Sequence, residues 1–313
     1  MSIVILGAGG FMGRSITKAL SATNDDLTLF DMRFTKEQQN HLRCIERDFT
    51  SPADLERVFK REVDTVIHLI SITVPVTADK VPAADVWGNL LNTLELLDMC
   101  VLENVRRVIF VSSDRTVYGQ HDRPVKKNDP CFPVCSHGIV KRAIEEYLGL
   151  YHRLRGLDYL IMRVSNAYGA AQTGKKPQGV IGTFLHRIIE GKPIEIWGDG
   201  NVVRDFVHID DVARSFVAML QYTGSEHIFN VGTGKGHSIK QVVDLIESIL
   251  GQSVACSYFP QSSLDIPINV LDITRIQRET GWEPTISLEE GILRVYREIR
   301  NDASYATLMD QKV

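Results

Sequence analysis

The chain opens on a short apolar run, Ile3-Val4-Ile5-Leu6, closed by glycine. A run of that length before a breaker predicts a buried strand. From Arg14 to Leu20 the apolar positions Ile16, Ala19 and Leu20 share one side at helical spacing, which predicts a helix beyond the glycines. Leu27 to Phe30 predicts a second strand ending at Asp31, and a third strand candidate precedes Asp48-Phe49. Thr65 to Ile70 reads as a buried strand, and Leu90 to Leu102 as an amphipathic helix. Val108 to Val111 reads as a strand ending in Ser112-Ser113, and Tyr159 to Val164 as another. This alternation predicts an α/β fold with a doubly wound parallel sheet. Such sheets bind ligands beyond the C-terminal ends of their strands. Asp48-Phe49, His68 to Ser71 (with Leu69 and Ile70), Ser112 to Asp114 and Val164 to Asn166 all fall there.

Between the first strand and the first helix lies Gly7-Ala8-Gly9-Gly10-Phe11-Met12-Gly13. Glycines let backbone approach a pyrophosphate, and the helix N-terminus behind them offers free N–H groups and the positive end of the helix dipole. The acidic residue that a dinucleotide site needs about 20 residues on is Asp31. Its carboxylate suits the ribose hydroxyls of NAD and repels a 2′-phosphate. Arg33, close by, is the feature that would favour NADP instead.

The 313 residues are 44% hydrophobic and 24% charged, with net charge −4, enough for a large domain and a smaller one. Mild acidity gives no support for nucleic-acid binding. No apolar stretch reaches the ~20 residues that span a bilayer, and no basic signal-peptide flank precedes the first strand. Cysteines at 44, 100, 131, 135 and 256 are odd in number and lack a zinc-type spacing, so no metal site is expected and a reduced cytoplasmic setting fits.

His137 and Lys141 stand four apart in Ser136-His137-Gly138-Ile139-Val140-Lys141. Further marks are Asn89, Val117-Tyr118-Gly119, Arg163 with Asn166, Ile196-Trp197-Gly198-Asp199-Gly200 and Arg204-Asp205-Phe206-Val207-His208-Ile209-Asp210-Asp211. With the glycine turn, Ser112-Ser113, Asn230-Val231-Gly232 and Gly281-Trp282-Glu283-Pro284, they resemble the extended short-chain dehydrogenase/reductases, closest to UDP-glucose 4-epimerase-like proteins. The resemblance runs nearly end to end. It implies a Rossmann-type NAD-binding domain over 1–168, to which a segment around 203–231 returns. It implies a smaller nucleotide-sugar-binding domain over 169–313, a UDP-hexose substrate and a homodimer. The implied cofactor contacts are Gly7, Gly10, Phe11, Met12, Gly13, Asp31, Arg33, Asp48, Phe49, Leu69, Ile70, Ser71, Asn89, Ser112, Lys141 and Ser165. Asn166, Gly179, Val180 and Arg204 are the implied substrate contacts, with Asn166 and Arg204 on the diphosphate.

In that family a Tyr four residues before the Lys takes the sugar hydroxyl proton, helped by a Ser or Thr, while hydride passes to NAD. Here the Tyr position holds His137 and the Ser/Thr position holds Asp114, with Ser113 just before it. Lys141 keeps the Lys position. An imidazole starts near 6.5, and a neighbouring Lys cation should keep it neutral at pH 7, able to accept a proton. Asp114 could orient it as a carboxylate does in a triad. An imidazole is shorter than a phenol, so an impaired site is the competing reading, in which the chain binds NAD and a nucleotide sugar without turning over. A 4-keto-sugar reductase on the same fold is another. Elimination is disfavoured, because Arg115-Thr116 stands where family dehydratases carry Asp-Glu.

A loop from Gln172 to Gly179 has the composition of a ligand cover. A second family Arg is expected just before Asp265-Ile266-Pro267, where Ser262-Ser263-Leu264 stands. His208 reads as a packing residue, and Trp87, Trp197 and Trp282 as core or domain-edge anchors. The end from Asn301 to Val313 reads as a frayed tail or an oligomer contact.

Overall fold

The computed structural model describes residues 1–73, 75–121, 123–170, 179–260 and 266–301. Its strands are β1 (Ser2–Leu6), β2 (Asp26–Asp31), β3 (Arg43–Glu46), β4 (Thr65–His68), β5 (Arg107–Ser113), β6 (Asp158–Val164) and β7 (Asn166–Tyr168), then β8 (Ile194–Trp197), β9 (Val203–His208), β10 (Ile228–Val231), β11 (Gly236–Ser238), β12 (Cys256–Phe259) and β13 (Ile268–Asn269). The helices are α1 (Phe11–Leu20), α2 (Lys36–His41), α3 (Pro52–Leu55), α4 (Pro75–Ala78), α5 (Pro82–Asp85), α6 (Asn92–Leu102) and α7 (Arg115–Tyr118), then α8 (Ser136–Arg155), α9 (Val180–Ile189), α10 (Ile209–Gln221), α11 (Ile239–Leu250), α12 (Thr274–Thr280) and α13 (Leu288–Asn301).

Seven parallel strands form one sheet in the order β10-β6-β5-β4-β1-β2-β3. The apolar run of β1 explains its place near the centre. Ile3 and Ile5 face the core layer under α1 and α10, and Val4 and Leu6 face the layer under α6 and α8. All four are buried, as a strand covered on both faces requires. The expected doubly wound sheet is therefore present.

Element ends differ from expectation in three places. Helix α1 starts at Phe11 rather than Arg14, with extended Gly10 as its N-cap. Strand β4 stops at His68, so Leu69 and Ile70 lie in the loop beyond it. The expected helix from Leu90 is a π-helical turn over Val86–Leu91 followed by α6. Within that turn Asn89 is buried and Trp87 is exposed, so Trp87 is no core anchor. Trp197 is also exposed, stacked on Phe259, whereas Trp282 is buried with Nε1 donating to the Asp211 carbonyl.

The second half builds its own core of α9, α11 and α13 around Phe184, Leu185, Val242, Ile246 and Ile292. A small sheet joins β7, β9, β11 and β13, and β8 pairs with β12. Asp205, fully buried on β9, accepts from Thr233 N, Thr233 Oγ1 and Gly234 N. Burial pushes its carboxyl up to about 6 against those donors. It is thus a fastener between β9 and the turn after β10. The stretches 172–178, 262–264 and 302–313 lie outside the described residues.

Candidate active site

A cavity of about 560 Å³ opens where β1, β4, β5 and β6 end. That is the size and position expected of a ligand pocket in an open α/β sheet. Gly7, Gly10, Phe11, Met12 and Gly13 form one wall. Leu69 and Ser71 after β4, Ser112, Ser113 and Asp114 at the end of β5, and Ser165 and Asn166 after β6 form the floor. His137 and Lys141 project from α8, and Gly179 and Val180 bring in the start of α9.

Close packing shapes the glycine wall. Gly7 sits at φ 88°, and a Cβ on Gly13 would come within 2.1 Å of the Gly7 carbonyl oxygen. Helix α1 can therefore begin hard against β1, with no side chain capping its N-terminus. Asp31 stands at the end of β2, where its carboxylate accepts from Gly9 N at 2.9 Å and Met32 N at 2.7 Å. It is half-buried and the next-but-one residue, Arg33, is exposed.

Lys141 is buried, and its ammonium donates to the Val111 carbonyl at 2.9 Å while lying 4.6 Å from the Phe110 ring centroid. Burial lowers it to about 8, opposed by the charges of Asp85 and Glu145. His137 is lowered to about 4, first by burial and then by Lys141, with Asp85 and Asp79 pulling the other way. The ring is neutral at pH 7, and loss of hydration contributes more to that than the Lys cation.

The triad idea for Asp114 fails on geometry. Asp114 is buried, its carboxylate is bonded to the Asn269 amide, and no hydrogen bond joins it to His137. Its pKa is raised by burial. It also starts the short helix α7, with Tyr118 N donating to its carbonyl.

Several expected contacts stand behind the described wall rather than on it. Phe49 is buried in the core 5.2 Å from the His68 ring, and Asp48 accepts from Thr50 N and Oγ1. Asn89 donates to Asp85 and Thr73 and accepts from Ile72 N, which fixes the loop after β4. Ile70 packs into the core layer under α6. Arg204 is buried, with Nη1 donating to the Val203 and Ile266 carbonyls. Its guanidinium fastens the segment before β13 to β9. Thr73, Thr116, Tyr168, Ile181 and Phe206 line the cavity and were not expected from sequence. Only the position of Tyr168 after β6 could have signalled one of them.

Three hydroxyls on the wall, Ser112 Oγ, Ser165 Oγ and Thr116 Oγ1, are buried with no partner. Buried polar groups are normally satisfied, so these fit a polar ligand that supplies the missing bonds. With the glycine wall and the Asp31 carboxylate they fit a dinucleotide.

Residues 3–232 match the profile of the NAD dependent epimerase/dehydratase family. The chain is similar to a UDP-glucose 4-epimerase of Mycolicibacterium smegmatis, 31% identical over 96% of this chain and 99% of that protein. It is 28% identical to a dTDP-4-dehydro-6-deoxyglucose reductase of Escherichia coli, over 95% of this chain and 97% of that one. A crystal structure of the UDP-glucose 4-epimerase of Thermus thermophilus in complex with NAD superposes with a TM-score of 0.90, at 27% identity, covering 97% of this chain and 100% of that one.

Proposed function

Because the chain belongs to the NAD dependent epimerase/dehydratase family, we propose that it inverts C4 of a UDP-hexose with His137 as the base. The observation that carries this reading is the meeting of His137, Lys141 and Ser113 with the glycine wall and Asn166 around one cavity. The glycine wall, the α1 N-terminus, Asp31 and Lys141 would hold NAD, which when bound takes and returns the hydride of the sugar carbon.

The remaining steps belong to this chain. Neutral His137 accepts the proton of the C4 hydroxyl, and Ser113, which lines the same cavity, hydrogen-bonds the same oxygen. The imidazolium so formed lies beside the Lys141 ammonium, and that repulsion favours giving the proton back. After the keto sugar presents its other face, the ring returns the proton to the new hydroxyl. No proton is consumed over the cycle. A base this weak abstracts a proton less readily than a phenolate, so modest turnover is expected. Asn166, Gly179 and Val180 border the end of the cavity where the nucleotide would lie. The same reading carries a homodimer through α6 and α8, on which Leu102, Ile139 and Leu154 are exposed, and a cytoplasmic setting.

The test is incubation of the NAD-loaded protein with UDP-glucose, UDP-galactose and their N-acetyl forms, with products followed by NMR. Conversion in both directions without added NADH is the expected result. Similarity to the Escherichia coli reductase favours a second reading, reduction of a 4-keto sugar. Turnover of a 4-keto sugar with stoichiometric NADH oxidation, and none of the UDP-hexoses, would replace the epimerase reading with that one. Nucleotide-sugar binding with neither turnover would mark an impaired site.

A further inference from the structure

Asp85 is fully buried at the end of α5, behind the cavity wall rather than on it. Its carboxylate accepts from three separate elements. Thr73 Oγ1, in the loop that lines the cavity after β4, lies at 2.6 Å. Asn89 Nδ2 in the π-helical turn lies at 2.8 Å. Ser136 Oγ, the residue immediately before His137, lies at 2.8 Å. The backbone N–H of Ser136 is held as well, by Asp79 at 2.8 Å.

These three donors are neutral, and a neutral acceptor would satisfy them. Burying an ionised carboxylate costs far more desolvation than burying an amide or hydroxyl. The three hydrogen bonds offset that cost, because a carboxylate that accepts several donors is favoured in its charged form. The same carboxylate acts through space on His137 and Lys141, which stand on the helix that its Ser136 bond holds. The other charges facing His137 are Lys141 on its own helix and Asp79 ahead of α5. Lys141 also faces Glu145, which is bonded to Arg163 of β6, and His68 at the end of β4.

We propose that Asp85 is a positioning residue of this centre: it ties the first turn of α8 to the loop after β4 and supplies the negative charge that His137 and Lys141 share. The assignment rests on the reading of His137 and Lys141 as the working pair. It makes Asp85, and not Asp114, the carboxylate that serves the imidazole. It also explains why Thr73 and Asn89 bond to each other, at 2.9 Å, as well as to Asp85. The loop and the helix are thus fixed by one hub.

Two substitutions separate charge from tether. In Asp85→Asn, loss of the charge should lower the Lys141 midpoint from about 8 by about one pH unit. That midpoint is read from the ε-carbon NMR resonance of Lys141 in NAD-loaded protein without sugar. In Ser136→Ala the carboxylate stays, so the midpoint should hold. The Ser136 amide held by Asp79 and the Ile139 amide bonded to the Cys135 carbonyl should then exchange at least tenfold faster, and kcat should fall with KM little changed. An unmoved Lys141 midpoint in folded D85N overturns the charge role. Wild-type exchange and kcat in S136A overturn the tether, and that arm decides alone if D85N does not fold. The midpoint and the exchange need no turnover, so a chain inert on every nucleotide sugar sinks the epimerase reading and leaves Asp85 decided separately.

Discussion

At position 137 a half-buried imidazole stands beside a buried ammonium. With His137 near 4 and Lys141 near 8, the expected pH–rate profile is a bell between those limits. Protonation of His137 removes the base on the acid side, and deprotonation of Lys141 removes the cation on the alkaline side. An acid limb near 6.5, measured as kcat against pH, would mean that the ring is solvated during turnover. His137→Ala should reduce kcat by about 10²–10⁴-fold and leave NAD binding intact. His137→Tyr is the sharper arm: a rise in turnover would show that the imidazole is a lesion and not a base. A second residue prediction concerns the cofactor. Asp31 already points its carboxylate at Gly9 N, so Asp31→Ala should weaken NAD markedly and NADP little. Calorimetry that finds NADP bound more tightly by the wild type would make Arg33 the reader.

The element that matters most is the first turn of α8, and Gly138 sets how closely it approaches α7. A Cβ at Gly138 would lie 1.8 Å from the Thr116 carbonyl oxygen, so the glycine is a contact point rather than spare room beside His137. Gly138→Ala must lift the start of α8 off α7 and carry His137 with it. We expect a loss of about 3 kcal/mol, at the upper end of overpacking costs, read by denaturant unfolding. Turnover should fall further than stability explains at temperatures where the variant is folded. Wild-type stability and rate in this variant would mean that α8 has slack there. Helix α8 was partly legible in the sequence, through His137 and Lys141 at one helical turn. Its contact partners were not, because Thr116 and Asp85 lie 20 or more residues earlier in the chain.

For the whole molecule, burial of neutral histidines sets the acid response. His68 is buried between Phe49 and Phe110, with Nε2 at 3.0 Å from Thr93 Oγ1, and is lowered to about 3. A depressed folded pKa means that its contribution to stability is present above about 6.5 and is lost as pH falls towards 3. His137 acts in the same sense. Asp205 opposes them, since its raised value favours the folded state at low pH and that gain disappears as pH rises through about 6. A comparison with His68→Gln isolates one term. The variant should be less stable at pH 7, and the gap should narrow from pH 7 to pH 5. A gap that does not change with pH would mean that His68 is not held neutral.

The sequence by itself determined the doubly wound sheet, because both-face burial of strands such as Ile3 to Leu6 leaves a continuous apolar run between breakers. It determined the glycine wall and the end of β2 at Asp31, because strand, turn and helix follow one another within about 30 residues. It also marked, where apolar runs stop, the cavity residues at strand C-terminal ends, such as Leu69, Ser112 and Ser165, while His137, Lys141, Gly179 and Val180 were implied by the family resemblance. It did not determine which polar side chains turn inward at those ends. Arg204 was expected on the diphosphate, and its Nη1 is engaged by the Val203 and Ile266 carbonyls. Asp114 looked like a partner for His137 and is bonded to Asn269, 155 residues away. Asp85 carries no signal in the sequence and is the hub of Thr73, Asn89 and Ser136. Periodicity records which residues leave water, and these pairings are decided only when distant segments compete for the same donors in the folded chain.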